Sequence, residues 1–175
     1  KSKRVSYIKA NTINISKVLD KKKKYIKTIF HFGEFARIYQ SFIKMNECIE
    51  SNSIGTHAVI KFCMKNKIKL IYSATSATLG NNGEDKNLSP YAFTKSKNLE
   101  LLNNLKKWFN FNFEIIYFYN VYGPRQISKG SMATVIGIFE DCFKNSKPLT
   151  VVRPGTQSRR FTHISDTVEV CYEAW

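Results

Sequence analysis

Ile71-Tyr72-Ser73-Ala74-Thr75-Ser76-Ala77-Thr78-Leu79-Gly80, followed after a short polar interval by Ser89-Pro90-Tyr91-Ala92-Phe93-Thr94-Lys95, is the stretch on which the fold turns. Its first half completes the run Ile68-Lys69-Leu70-Ile71-Tyr72-Ser73, short, apolar and rich in strand formers, so residues 67–73 read as a buried strand. That strand ends in small hydroxyl residues. The second half opens a helix over 91–109, with Leu99, Leu101, Leu102, Leu105 and Trp108 on or near one face. Residues 80–88 between them are dense in Gly, Asn and Asp and read as a surface loop.

The same alternation runs outward in both directions. Residues 4–9 read as a short strand, 15–19 as a helical turn or two, and 27–32 as another buried strand. Phe42, Met45, Ile49, Ile54, Ala58, Val59, Phe62 and Cys63 keep helical spacing, which predicts one long helix over 41–66. Downstream, 112–118 reads as a third buried strand and 133–143 as a helix. Residues 149–152 and 160–163 read as short strands, and 166–175 as the start of a last helix. Strands separated by amphipathic helices imply an α/β, mostly parallel sheet with right-handed crossovers. The loops at the strands' carboxyl ends then open on one edge, where ligands bind in such folds.

Composition narrows the function classes. The 175 residues are 43% hydrophobic, enough for a real core and too apolar for a disordered chain. No apolar run approaches the roughly 20 residues that span a bilayer, so no membrane role is expected. The net charge of +15 admits a polyanion partner. The basic residues are scattered, however, apart from Lys21-Lys22-Lys23-Lys24, which reads as a solvated turn, and no nucleic-acid role is expected. Cys48, Cys63, Cys142 and Cys171 lie far apart without metal-ligand spacing, so the expectation is no metal and a reducing, cytoplasmic setting. The chain opens on Lys1 and stops at Trp175 inside an apolar-periodic stretch, so both ends read as cut.

Tyr91 and Lys95 carry the chemistry. Four residues apart at a helix start, they place a phenol and an ammonium on one face, one turn apart. A phenol with a pKa of about 10 is a poor base at neutral pH, and a neighbouring cation favours its phenolate. The pair can then take a proton from a hydroxyl and return it. The spacing alone is common on ordinary helices. The strand end before it supplies context, since a hydroxyl at Thr75 can sit opposite the phenol and share a hydrogen bond with substrate.

These blocks, with Tyr117-Phe118-Tyr119-Asn120-Val121-Tyr122-Gly123-Pro124, resemble the extended short-chain dehydrogenases acting on nucleotide sugars, the NAD-dependent epimerase/dehydratase family. The resemblance runs through nearly the whole chain. Ile29-Phe30-His31-Phe32-Gly33-Glu34 is similar to the family's strand-end segment, usually His-x-Ala-Ala, which passes near the cofactor. Asn52-Ser53-Ile54-Gly55-Thr56 is similar to its Asn-x-x-Gly-Thr, whose Asn lies on the nicotinamide side. Gly155 to Asp166 is similar to its Arg-x-Phe-x-His-Val-x-Asp block. By resemblance, Thr75, Tyr91 and Lys95 are catalytic. Asn11, Phe32, Gly33, Glu34, Asn52, Tyr91, Lys95 and Tyr119 face NAD, and Thr75, Asn120 and Arg159 face the nucleotide sugar. A guanidinium such as that of Arg159 suits a diphosphate, because its donor fork matches phosphate oxygens.

The resemblance implies a Rossmann-like, doubly wound fold. Residues 1–123 would form a partial NAD-binding domain, and 124–175 the start of a smaller nucleotide-sugar-binding region interleaved with the last Rossmann elements. The family's first βα unit, with its glycine loop for the pyrophosphate, is missing, since no glycine precedes Gly33. Asn11 stands where relatives carry an Asp, and Leu79 where they carry a Tyr. Relatives that dehydrate or decarboxylate their sugar place acidic residues after the catalytic hydroxyl, whereas Thr75 is followed by Ser76 and Ala77. The expected activity is therefore a nucleotide-sugar epimerase of the UDP-glucose 4-epimerase kind, using NAD and a UDP-sugar. A reductase or dehydratase of the same family, or a non-catalytic remnant, are the other readings. Relatives dimerise through paired helices, here 41–66 and 91–109, and a homodimer is expected.

Overall fold

In the computed structural model, which describes residues 4–175, strand β1 (Thr28–His31) lies parallel to β2 (Lys69–Thr75). Thr28 pairs with Lys69 and His31 with Tyr72, and the sheet continues in the order β1-β2-β3 to Phe113–Phe118. From Leu70 to Thr75 every residue of β2 is buried. A strand covered on both faces is what an apolar, unalternating run predicts.

Helices α1 (Ile15–Leu19), α2 (Ile38–Ile43), α3 (Met45–Ile49), α4 (Thr56–Asn66) and α5 (Pro90–Phe109) accompany this sheet. Val59, Ile60, Phe62 and Cys63 of α4, Leu70 and Tyr72 of β2, and Leu102 and Leu105 of α5 form its core, with Ile68 and Phe111. Full burial of one such aliphatic side chain stabilises by about 1.5–3 kcal/mol before entropy is counted. Burial pushes the Cys63 thiol in this core up to about 12. Helix α4 is stopped by Lys67 in the left-handed region, where the Ile68 N–H reaches back to the Cys63 carbonyl at 2.9 Å, closing a Schellman turn.

Packing divides the chain into two units, Lys1–Ile115 and Ile116–Trp175. In the second, β4 (Asn120–Tyr122) pairs in parallel with β5 (Phe161–His163). Helices α6 (Val135–Lys144) and α7 (Ile164–Ala174) complete it.

Five elements differ from the sequence reading, the unexpected strand β4 among them. Residues 4–9 do not form a strand, and neither do 149–152, whose Leu149, Val151 and Val152 stay exposed. The apolar alternation there finds no ladder to join, and without pairing it does not become a strand. The interval after Leu79 is a 3₁₀ stretch, Gly80–Asn87, rather than an irregular loop. The single helix expected over 41–66 is broken at Lys44 and widened into one π-helical turn, Glu50–Gly55, before α4 begins.

Candidate active site

The start of α5 is fixed by its own sequence. Ser89 is extended, and its Oγ accepts the Ala92 N–H at 3.0 Å, while Pro90 takes the first helical position where no N–H is needed. Tyr91 follows one residue later, and its N–H donates to Ser41 Oγ of α2 at 3.3 Å. Lys95 and Asn98 then fall on the same face, one and two turns on.

At the end of β2, Thr75 Oγ1 accepts the Ala77 N–H at 3.2 Å and so caps a 3₁₀ turn over Ser76–Thr78. The same Thr75 side chain bears on the Tyr91 phenol, whose pKa it lowers. Burial pushes that phenol above its ordinary value. Thr75 pulls it back down, the Glu34 carboxylate raises it further, and the Arg37 charge lowers it.

Lys95 is only 3% exposed. Its ammonium donates to Glu34 Oε2, to the Ser73 carbonyl and, at 3.3 Å, to Ser73 Oγ, so its three N–H bonds are all engaged. It also lies 4.6 Å from the centre of the Tyr72 ring. Burial pulls the Lys95 pKa down, and Glu34 opposes this.

Glu34 is the hub of the polar cluster. Its Oε1 accepts from Thr56 Oγ1 at 2.7 Å and from Tyr72 OH at 3.1 Å, with Asn98 Nδ2 at 3.3 Å as a further, shared donor. Asn98 gives its two N–H bonds more closely to the Asn52 carbonyl (2.6 Å) and to Tyr72 OH (3.0 Å). All of these groups point donors at Glu34, which suits a carboxylate and leaves it no unmet oxygen.

Asn52, which the π turn carries, is fully buried. It clamps the backbone of Phe35 from both sides, accepting its N–H at 2.7 Å and donating to its carbonyl at 3.1 Å. The segment from Phe32 to Phe35 is thereby held at the end of β1, with Phe32 and Gly33 exposed. Asn11 is also exposed and caps the turn Thr12–Asn14 by accepting the Ile13 N–H at 3.0 Å. The first unit thus joins Lys95, Glu34 and Asn52 through hydrogen bonds that pass by way of Asn98, with Tyr91 one turn before Lys95 on α5 and Thr75 at the end of the strand that carries Ser73.

The remaining site residues belong to the second unit. Tyr119 is half-buried, and the exposed Asn120 donates to the Arg160 carbonyl at 2.9 Å. The exposed Arg159 donates to the Ser158 carbonyl at 2.7 Å. An open cavity of about 680 Å³ lies between the Tyr122–Ser128 loop and α6, with Arg125, Glu140 and Lys144 in its wall.

Sequence reasoning did not single out Ser73, Thr56, Tyr72 or Asn98, nor the use Glu34 makes of them. For Asn98 a signal was available in the stripe Tyr91, Lys95, Asn98 at helical spacing. For the others, Thr56 on α4 and Tyr72 on β2 meeting Glu34 and Ser73 on β2 meeting Lys95, none was.

A parallel sheet flanked by helices, with a hydroxyl at a strand's carboxyl end facing Tyr-x-x-x-Lys on the next helix, defines a Rossmann-like protein of the short-chain dehydrogenase class. The chain belongs to the NAD dependent epimerase/dehydratase family, whose model matches residues 2–175. It is 30% identical over 157 residues to an ADP-L-glycero-D-manno-heptose-6-epimerase of Brachyspira hyodysenteriae, covering 83% of this chain and 48% of that one. It is 29% identical to the uncharacterized UDP-glucose epimerase YtcB of Bacillus subtilis, over 95% of this chain and 54% of that one. Among solved structures, UDP-glucuronic acid 4-epimerase of Bacillus cereus, in complex with UDP-glucuronic acid and NAD, superposes with a TM-score of 0.85 at 26% identity. That match covers 99% of this chain and 56% of that one. The chain thus spans about half the length of the curated relatives it matches. Among the described residues no helix is long and apolar enough to cross a membrane, and no group of three potential metal ligands stands together.

Proposed function

We propose that this chain carries the proton-handling part of an NAD-dependent nucleotide-sugar epimerase, of the kind that interconverts UDP-glucose and UDP-galactose through a transient 4-keto sugar. The observation that carries it is the Tyr91 and Lys95 pair on one face of α5, set beside the end of β2, where the buried Lys95 donates to Ser73 two residues before Thr75. Absence of an acidic residue at Ser76 and Ala77, on the turn capped by Thr75, favours epimerisation over dehydration.

Tyr91 takes the proton of the sugar 4-hydroxyl, and Thr75 hydrogen-bonds the same hydroxyl and relays it. Returning that proton to the ketone oxygen once the sugar has turned over completes the inversion. NAD, when bound, supplies the hydride acceptor and donor. The residues present fit it. Phe32, Gly33 and Glu34 leave β1 at the sheet edge where doubly wound folds hold dinucleotides, and Asn52 fixes that segment through Phe35. Lys95 reaches a cofactor ribose by exchanging one of its three present acceptors for a ribose hydroxyl. By the family resemblance Asn11 is assigned to the cofactor; in the second unit Tyr119 is assigned to the cofactor, Asn120 and Arg159 to the sugar nucleotide, and residues 124–175 to the start of the sugar-binding region.

The four free thiols fit a reducing compartment, the cytoplasm. The enzyme works as a homodimer built on the α2–α3 and α5 faces.

Tyr91→Phe in the enzyme tests the reading. UDP-glucose/UDP-galactose interconversion should fall by about 10³-fold, within the usual range for losing a general acid–base group, while sugar-nucleotide binding holds. Near-normal turnover in that variant sinks the assignment. Stoichiometric NADH oxidation by the unsubstituted enzyme would make it a reductase instead.

A further inference from the structure

The residue at position 34 is a departure. The family segment that this stretch resembles reads His-x-Ala-Ala, whereas this chain places a carboxylate there, and the structure shows what it does. The Glu34 and Lys95 side chains are 2% and 4% exposed, and they form an ion pair inside the site. Glu34 is not free to swing away, because Thr56 and Tyr72 hold its other oxygen. Lys95 is equally fixed by the carbonyl and hydroxyl of Ser73.

We propose that Glu34 is a positioning residue for the proton on Tyr91: a fixed negative charge that pins Lys95, offsets the ammonium's pull on the phenol and sets the pH at which Tyr91 becomes a base. The inference rests on the epimerase reading only for its consequence in turnover, since the charge arrangement belongs to the fold itself. In a buried cluster of low dielectric, one unpaired charge added or removed shifts a neighbouring group by a pH unit or more. The groups whose charge bears on Tyr91 are Glu34 after β1, Arg37 before α2 and Cys48 on α3; Tyr72 on β2 is coupled to it, and Lys95 stands one turn on along its own helix. Of these, Glu34 and Cys48 hold the phenol protonated, and Arg37 works against them. Glu34 is the one of them that pairs with Lys95.

The test reads Tyr91 directly. The chain is prepared with fluorotyrosine in place of tyrosine, which brings the phenols into an accessible range, and the Tyr91 fluorine signal is assigned from its loss in Tyr91→Phe. In Glu34→Gln the Tyr91 midpoint should fall by about one pH unit or more. In Glu34→Asp, which keeps the charge, it should stay near the unsubstituted value. Lys95→Met, which leaves Glu34 unopposed, should move it upward. The double variant Glu34→Gln/Lys95→Met leaves no unpaired charge behind and keeps the comparison open if Glu34→Gln does not fold. Its midpoint should lie below that of Lys95→Met alone. Coincidence of those two midpoints, or an unmoved midpoint in a folded Glu34→Gln, overturns the proposal. In the enzyme, the acidic limb of kcat/KM against pH should follow the same shift. Absence of turnover with any sugar nucleotide would sink the epimerase reading and leave the fluorine result standing, whereas normal turnover with an unmoved Tyr91 would sink only the role of Glu34.

Discussion

His31 shows how far hydrogen bonds alone settle the chemistry of a residue. Thr56 has one hydroxyl proton, and Glu34 takes it at 2.7 Å, so the 2.8 Å contact between Thr56 Oγ1 and His31 must use the Nε2–H of the ring. The ring therefore donates through Nε2 and is 3% exposed. Burial lowers its pKa below 6.5, Lys95 adds to this, and Glu34 opposes it. The sign follows from proton counting. As pH falls through about 6.5, the unfolded chain binds a proton on this residue before the folded one does, so stability falls with pH across that window and is complete above it. Urea midpoints should therefore drop as pH is lowered below 6.5, and His31→Gln should flatten that part of the curve. An identical slope in both proteins would show that His31 does not titrate differently on folding. The exposed carboxylates of Asp20, Glu100 and Glu140, held low by their lysine partners, act in a separate and more acidic window. At this scale the placing of Tyr91 and Lys95 one turn apart on α5 was legible, because their spacing is local. The Glu34 cluster was not, because it joins residues up to 64 positions apart and no local pattern encodes such a meeting.

Elements were legible wherever one period ran undisturbed, as in β2 and α5. The region 41–66 was not, and the reason is visible at Asn52 and Gly55. Apolar spacing survives a π turn almost unchanged, so the sequence reads as one helix, yet the widened turn is what carries the Asn52 amide to the Phe35 backbone. Gly55 at its end allows close approach, since a Cβ there would lie 2.4 Å from Thr12 Oγ1. The three-residue strands β4 and β5 are too short to show a period, and only the second was expected. The cap at the start of α5 offers the element-scale test. Ser89→Ala removes the acceptor of the Ala92 N–H and should cost about 1 kcal/mol in urea denaturation with an unchanged slope. Because Tyr91 sits two residues inside that end, turnover of the enzyme should fall by more than the loss of folded protein explains. A stability loss with unaltered kcat would mean that the cap supports the helix without aiming the phenol.

On the scale of the molecule, net charge and apolar surface pull in opposite directions. At +15, copies of this chain repel one another. Self-association therefore needs a face where charge is balanced and apolar area is exposed. One stripe of the first unit meets both conditions. Ile38, Phe42, Met45 and Ile49 recur at helical spacing through α2 and α3, across the break at Lys44, and all are 40–57% exposed. Phe93 of α5, the helix packed against both, is 47% exposed. The charges carried nearby are paired off, Lys44 with Glu47 at 3.2 Å and Lys97 with Glu100 at 2.7 Å, so the stripe is neutral on a strongly basic chain. A two-fold interface would bury the same stripe from both copies, matching apolar to apolar without opposing like charges. The expected species is a homodimer, strengthened by moderate salt, which screens the residual repulsion while leaving apolar burial intact. Phe42→Glu places a carboxylate at the centre of the stripe on both copies, and sedimentation velocity should show it as a monomer at concentrations where the unsubstituted chain is dimeric. An unsubstituted chain that stays monomeric across its soluble range, or a dimer that Phe42→Glu leaves intact, would remove this face from consideration. The exposed apolar side chains would then have to be covered by something other than a second copy.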